Sequence, residues 1–328
     1  MKMTKHKPRP LYRAGVFFMF LFMITHGKTV IAQSALQMRD GVVVDAGRSM
    51  VYLLNPQKKL EAVSLATGQV AWTSSDSLKP LAIVDQNLLV QAISRGNRLV
   101  LLQLDVNQRG RVLTRDSIAL PANIKADYRP SINTAFNSYA RLVNGEAYVL
   151  WEYYKTMLKG RYDEDEREDT LQAMQTGIIR VTKNTGRLIP AQKSAIPTAQ
   201  LNRSIKPGRN EGFGKGKEQE YFSADQNHIL SSLRMLRKNE FNNYRWQVFV
   251  RSTRNKVGEL EDYRAYAPFM VTGSTLIYEI GPYERLVNGK VQEVPLYIVA
   301  VDLAAGKELW RRPVFDSVMR TNLPPGAE

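Results

Sequence analysis

The 328-residue chain contains no cysteine and only three histidines. Without thiols it has no disulfides, no C-x-x-C-H haem attachment, no thiolate metal site and no lipid anchor on an N-terminal cysteine. Its stability must come from packing. Two of the histidines, His6 and His26, lie within the first 32 residues, so His228 alone remains beyond them. One histidine cannot build the usual zinc site, and it would have to serve as the base of any Ser-His-Asp set. At the head of NHILSSL, His228 reads as a solvated or hydrogen-bonded strand residue and not as a catalyst. Long apolar runs are scarce too. The stretch AGVFFMFLFMI (14–24) is about half of the roughly 20 apolar residues that cross a bilayer. No long amphipathic helix pattern stands out.

That short run follows Lys2, Lys5, Lys7, Arg9 and Arg13, and Val30-Ile31-Ala32 comes shortly after it. The layout is that of a secretory signal peptide over 1–32, with cleavage expected after Ala32 and a retained anchor as the alternative. The expected location is periplasmic or extracellular. Net charge is +15; six of the cations lie in this leader, which has no acid, leaving +9 beyond it. Such an excess favours an envelope protein or an anionic glycan or lipid surface, while export argues against nucleic acid.

What is present is a repeat. AVSLATGQVAW (62–72) returns as AVDLAAGKELW (300–310), which aligns Ala62 with Ala300, Gly68 with Gly306, and Trp72 with Trp310. Glycine suits a tight turn between antiparallel strands, where φ > 0 excludes most side chains. The indole four residues later brings a large apolar surface to a sheet face. Weaker copies lie between. VTKNTGRLI (181–189) keeps Gly186 but has Pro190 in the tryptophan position; LDVNQRGRVL (104–113) has Gly110 displaced by one; WQVFVRSTRNKVGEL (246–260) has a polar turn near Asn255 and no glycine in place. Steps of about 40 to 75 residues fit repeats of four strands, the spacing of propeller blades. Short runs such as MVYLL (50–54) and RLVLLQL (98–104) supply the strands.

The pattern A-x-D-x-x-T-G-x-x-x-W resembles the repeat of the pyrroloquinoline-quinone (PQQ)-type β-propellers. Ala300, Asp302, Gly306 and Trp310 match it; Ala62, Thr67, Gly68 and Trp72 match with Ser64 in place of the aspartate. The resemblance implies an all-β fold of radial four-stranded blades with tryptophans packed between neighbours. Five blades are counted, near 36–77, 78–118, 119–190, 191–260 and 261–316. The third and fourth are long enough to hide another, which would make six or seven. The expected organisation is a single propeller domain over 33–328, with long insertions near 155–177 and 202–220. The resemblance does not carry the quinone with it: the adjacent cysteines on which many such enzymes stack it are missing, so no cofactor is expected.

Other stretches invite sharper readings. YDEDERED (162–169) lacks the glycine of a calcium loop and reads as a solvated insertion, with a short helix through LQAMQT (171–176). RSIKPGRNEGFGKGK (203–217) fails the phosphate-loop pattern but forms a flexible basic loop, with Arg203, Lys206, Arg209, Lys215 and Lys217 as candidates for an anionic partner. The aromatics of WEYYK (151–155) and NEFNNYRW (239–246) are expected in packing between blades. The chain is thus expected to be an exported, non-catalytic, monomeric propeller that binds or scaffolds envelope components. It is similar in type to the propeller lipoprotein of the outer-membrane barrel-assembly machinery, without the lipid-attachment cysteine. The alternatives are a glycan-active enzyme using channel-facing carboxylates, or a ligand sensor.

Overall fold

The computed structural model describes residues 35–39, 41–93, 96–126, 134–158, 169–183, 185–197, 219–237, 240–262, 269–280, 283–287 and 290–315. Residues Ala35–Glu328 form one compact unit. Regular structure among the described residues is strand, apart from three single-turn 3-10 segments.

The strands fall into five sheets in chain order. The first holds β1 (Ala35–Arg39), β2 (Val42–Asp45), β3 (Met50–Leu54), β4 (Leu60–Ser64) and β5 (Val70–Thr73). The second holds β6 (Leu78–Val84), β7 (Asn87–Ala92), β8 (Arg98–Asp105) and β9 (Arg111–Ala119). The third holds β10 (Thr134–Val143), β11 (Glu146–Leu158), β12 (Asp169–Val181) and β13 (Leu188–Ala191). The fourth holds β14 (Gln219–Phe222), β15 (His228–Arg237), β16 (Glu240–Val250) and β17 (Lys256–Asp262). The fifth begins with β18 (Phe269–Thr272) and β19 (Thr275–Ile280). A separate hairpin of β20 (Tyr283–Val287) and β21 (Lys290–Val294) follows, and β22 (Tyr297–Asp302) and β23 (Lys307–Pro313) complete the sheet. Within each sheet, neighbouring strands are antiparallel.

One expectation is overturned. LQAMQT is not helical: Leu171 to Thr176 belong to β12 and pair with β11, with Ala173 opposite Tyr154 and Gln175 opposite Tyr153. Leu, Gln, Ala and Met are good helix formers, but over so short a stretch intrinsic preference is small, and the long ladder with β11 prevails over it.

Burial orders each sheet from inside to outside. All seven residues of β6 are buried, whereas β5, β9 and β23 are mostly exposed. The inner strands are apolar at consecutive positions because both faces of each sheet are covered. Tyr52, Ala62, Leu88 and Leu102 share a core between the first and second sheets. Leu89, Leu101, Phe136 and Val149 do so between the second and third. Trp246 and Val248 meet Phe269 and Val299 between the fourth and fifth. Val51 and Val63 meet Ile298 and Trp310 between the fifth and first. Sheets four, five, one, two and three therefore form an unbroken series of packed faces that brings the two ends of the strand order together. This is a β-propeller with five blades. β1, beyond the innermost position of an ordinary blade, adds Met38 to the core between blades five and one.

The repeat now has a physical reading. A side chain ending the third strand of a blade accepts backbone N–H groups of the turn: Asp302 from Ala304 and Ala305, Asp105 from Asn107 and Gln108, Ser64 from Thr67. The turn closes on a residue with positive φ, which is Gly68 at 69° in blade one and Gly306 at 62° in blade five. A one-residue bulge follows in the outer strand, so that Trp72 lies opposite Ala62 and Trp310 opposite Ala300. The small alanine leaves room for the indole on the shared face.

The residue four places past each turn then meets the next blade's turn. A Cβ on Gly110 would lie 2.8 Å from the Trp72 ring, and one on Gly68 would lie 2.5 Å from Cβ and Cγ of Trp310. Thr114 takes the same place against Gly186. In blade four the positive φ falls on Arg254, at 57°, and the residue four further on is Gly258, which faces Leu303 of blade five. The position is thus kept even where neither glycine nor tryptophan stands in its motif place.

Polar bonds reinforce two junctions. Between blades five and one, Trp310 Nε1 donates to Leu65 O at 2.7 Å, and the Arg312 guanidinium meets Glu61 at 2.7 Å. Glu61 also accepts from Asn55 Nδ2 at 2.8 Å. Between blades two and three, the fully buried Lys79 donates from Nζ to Ser138 O at 2.9 Å, and the Ser138 hydroxyl meets Gln91.

Candidate functional site

The basic loop residues Arg203, Lys206, Arg209, Lys215 and Lys217 lie outside the described residues, as does most of YDEDERED. Of the motif residues, Gly68, Gly186, Asp302 and Gly306 lie at blade turns, Trp72 and Trp310 on outer strands, and Ala62 and Ala300 on the third strands opposite those indoles, where they act as packing and turn elements. The buried carboxylates among the described residues, Asp45 and Glu61, are both engaged: Asp45 with Arg48 at 2.8 Å and Glu61 as above. No group of three His, Asp or Glu side chains suited to a metal ion occurs among the described residues. Two surface features remain.

The first is the outer edge of blade two. β9 spans nine residues, against four in β5 and seven in β23. Val112 and Leu113 are 48% and 42% exposed, adjacent to each other on this outermost strand. The bulge after the blade-two turn lies at Leu113, between the Leu104–Val112 and Gln103–Thr114 pairs. Arg109, Arg111 and Arg115 are exposed around them, and no acid lies between Arg109 and Arg115. The first acid along the strand, Asp116, points its carboxylate to the neighbouring blade, where Oδ2 accepts from Leu188 N at 2.8 Å. That bond, helped by the Ser117 N–H, holds the Asp116 carboxyl below the usual carboxylate range. An uncovered edge strand with neighbouring apolar side chains is a template for pairing with another chain.

The second is a hollow of about 470 Å³ on the turn face of blade four, lined by Gln226, Asn227, His228, Val250, Arg251 and Ser252. Two turns wall it. In one, Ser223 N donates to His228 O at 3.0 Å, Gln226 N donates to Ser223 O at 2.9 Å, and Asp225 accepts from the Ser223 hydroxyl and from Asn227. In the other, Val250 N donates to Asn255 O and Arg254 N to Val250 O. Arg251 N donates to Asn227 O at 2.8 Å and fastens the two together. His228 is half-buried with Nδ1 unpartnered among the described residues; burial lowers its pKa and the Asp225 charge only partly opposes this. The imidazole is therefore neutral near neutral pH.

Neither feature was legible as a site in the sequence. RGRVLTR (109–115) and DQNH (225–228) contain ordinary turn and strand residues, and only the fold shows that one is an outer edge and the other a wall. Three arginines within seven residues, around two adjacent aliphatics and with no acid among them, were the available signal for the edge.

No protein-family model matches the chain, and no curated protein matches it. Solved structures similar to it include the β-propeller domain of Myceliophteria thermophila Cps50 (Swd1), at 10% identity and a TM-score of 0.22 over 81% of this chain and 67% of that one. An ACO/RPE65 chimera aligns at 12% identity and a TM-score of 0.26, over 80% of this chain and 57% of that one. The quinohemoprotein alcohol dehydrogenase ADHIIG from Pseudomonas putida HK5 aligns at 12% identity and a TM-score of 0.22, over 83% and 58%. The chain spans less than two thirds of the length of the latter two. The assignment as a propeller rests on the order and packing of its own five sheets.

Proposed function

We propose that this is an exported binding propeller of the bacterial cell envelope, which scaffolds a partner protein through its outer surface and performs no chemistry of its own. The observation that carries the reading is the exposed pair Val112 and Leu113 on the outermost strand of blade two, bracketed by Arg109, Arg111 and Arg115. Apolar contact with a cationic rim suits an acidic protein segment, and the charge of +9 beyond the leader acts in the same direction at longer range. The basic stretch and apolar run of 1–32 support export.

A photo-crosslinking residue placed at Val112 in cells tests the binding surface. A discrete envelope-protein adduct is expected, lost when Arg111 and Arg115 are changed to Glu and not formed when the crosslinker is placed at exposed Val70 on blade one. Absence of an adduct at position 112, or an adduct indifferent to charge reversal, would count against the proposal. Fractionation with mass spectrometry of the mature N-terminus tests export separately.

A further inference from the structure

We propose that the hollow on the turn face of blade four is a binding site for a small organic carboxylate bearing an apolar group. The site is on a different blade from the β9 edge and stands without the preceding reading.

Arg251 supplies the charge. Its guanidinium lies 4.6 Å from the Phe222 ring centroid, and one terminal nitrogen is held by Gln226 O and Oε1, each at 3.3 Å. Stacking and these bonds fix the plane of the group, and a fixed guanidinium presents its remaining donors at little entropic cost. Among the described residues Arg251 has no carboxylate partner, whereas its neighbour Arg254 is neutralised by Glu220 at 2.7 Å. The acid nearest the hollow, Asp225, turns its oxygens to the Ser223 hydroxyl, Asn227 N and Asn227 Nδ2. Its oxygens are thus occupied within the turn, which leaves the Arg251 guanidinium as the charged group at the hollow with donors still to offer.

The remaining walls set the ligand's chemistry. Ser252 and Asn227 are short polar groups and Val250 is aliphatic; Phe222, 42% exposed, is not a wall but adjoins the hollow through Arg251, against which its ring lies. A hollow of this size, with apolar lining and a few fixed polar groups, is in the range of small-molecule sites. The locked turns make it pre-formed. A neutral imidazole at His228 leaves the anion's main electrostatic contact with Arg251 alone. A bare inorganic anion would use Arg251 but leave the Val250 wall, and the Phe222 ring that adjoins Arg251, uncovered, which is why an apolar carboxylate is the better fit.

The test uses the whole protein and the His228 imidazole signals in NMR, assigned by their loss in H228Q. Benzoate is expected to shift them saturably at millimolar concentrations or below, with acetate weaker and neutral benzyl alcohol without saturable effect. R251Q, which keeps the backbone bond to Asn227, should weaken benzoate at least 10-fold, whereas R254Q should leave it within 2-fold. Thermal unfolding of R251Q close to the parent's confirms that the fold is retained. Peptides ending in a free carboxylate or in an amide distinguish a chain terminus from a free acid as the source of the group; both carboxylate sources support the site if the amide fails. The proposal is overturned if no probe gives saturation, if benzyl alcohol matches benzoate, or if R251Q binds as tightly as the parent.

Discussion

Substituting Gly68 by Ala should damage the junction between blades five and one far more than its turn alone would suggest. At a φ of 69° an alanine costs about 1 kcal/mol in backbone strain. Its Cβ would also stand 2.5 Å from Cβ and Cγ of Trp310, atoms placed by strand β23 and not by a flexible tip. The indole must shift, and overpacking of this kind costs about 1–3 kcal/mol. The shift draws Nε1 away from Leu65 O, a buried bond with a net worth of about 0.5–1.5 kcal/mol. Together these give about 3–5 kcal/mol. Gly273 is the control: its φ is 58°, but an added Cβ there meets nothing within 4 Å, so G273A should cost only the backbone term of about 1 kcal/mol. Thermal unfolding followed by circular dichroism should separate the two variants by roughly 5 °C or more. Equal melting temperatures would refute the claim that the blade-one turn glycine is there to admit the Trp310 ring.

Other outcomes follow from the same geometry. Trp310→Phe removes the donor to Leu65 O and should cost about 1–3 kcal/mol in polar terms beyond the lost ring volume; Trp246→Phe, whose Nε1 has no partner among the described residues, should lose only the volume, as urea denaturation would show. Arg254→Gly relieves a positive φ at the price of an exposed ion pair, so stability should rise by up to about 1 kcal/mol, and a fall would contradict the turn assignment. Asp116, with its folded pKa depressed, stabilises the junction of blades two and three above its unfolded pKa of about 3.9. That contribution is lost as pH falls through the lower folded value, and Asp116→Asn should flatten the acid limb of a stability profile. His228 also has a depressed folded pKa, so its contribution is full above about 6.5 and declines as pH falls through the folded value; H228Q should make stability less sensitive between pH 7 and 5.

Strands of blades one and two were readable because their aliphatic runs are short and end in Asn, Gly or Asp: β3 coincides with MVYLL and β8 extends RLVLLQL by one residue. The turn of blade four was harder. Arg254 carries the positive φ there, and a pattern search for glycine cannot find a position where an arginine bears the strain. The bulge that sets Trp72 opposite Ala62 was also invisible, since it exists only as a slip between two paired strands. LQAMQT misled because local preference is overridden by the ladder to β11. The inner strand β1 and the β20–β21 hairpin were not foreseen at all; neither bears the repeat. As for sites, a sequence can show arginines, but whether they rim an outer edge or a hollow is decided by which strand is outermost.

The meeting of the last blade with the first is tested most directly by thiol cross-linking, for which a chain without cysteine is well suited. In the E61C/R312C variant, two thiols 251 positions apart in sequence replace side chains that touch at 2.7 Å. A short bifunctional thiol reagent applied to the folded protein should join them within one molecule and give a looped species of altered mobility, and prior unfolding should abolish it. Free, reactive thiols at both positions with no internal link in the native protein would contradict the closure between blades five and one.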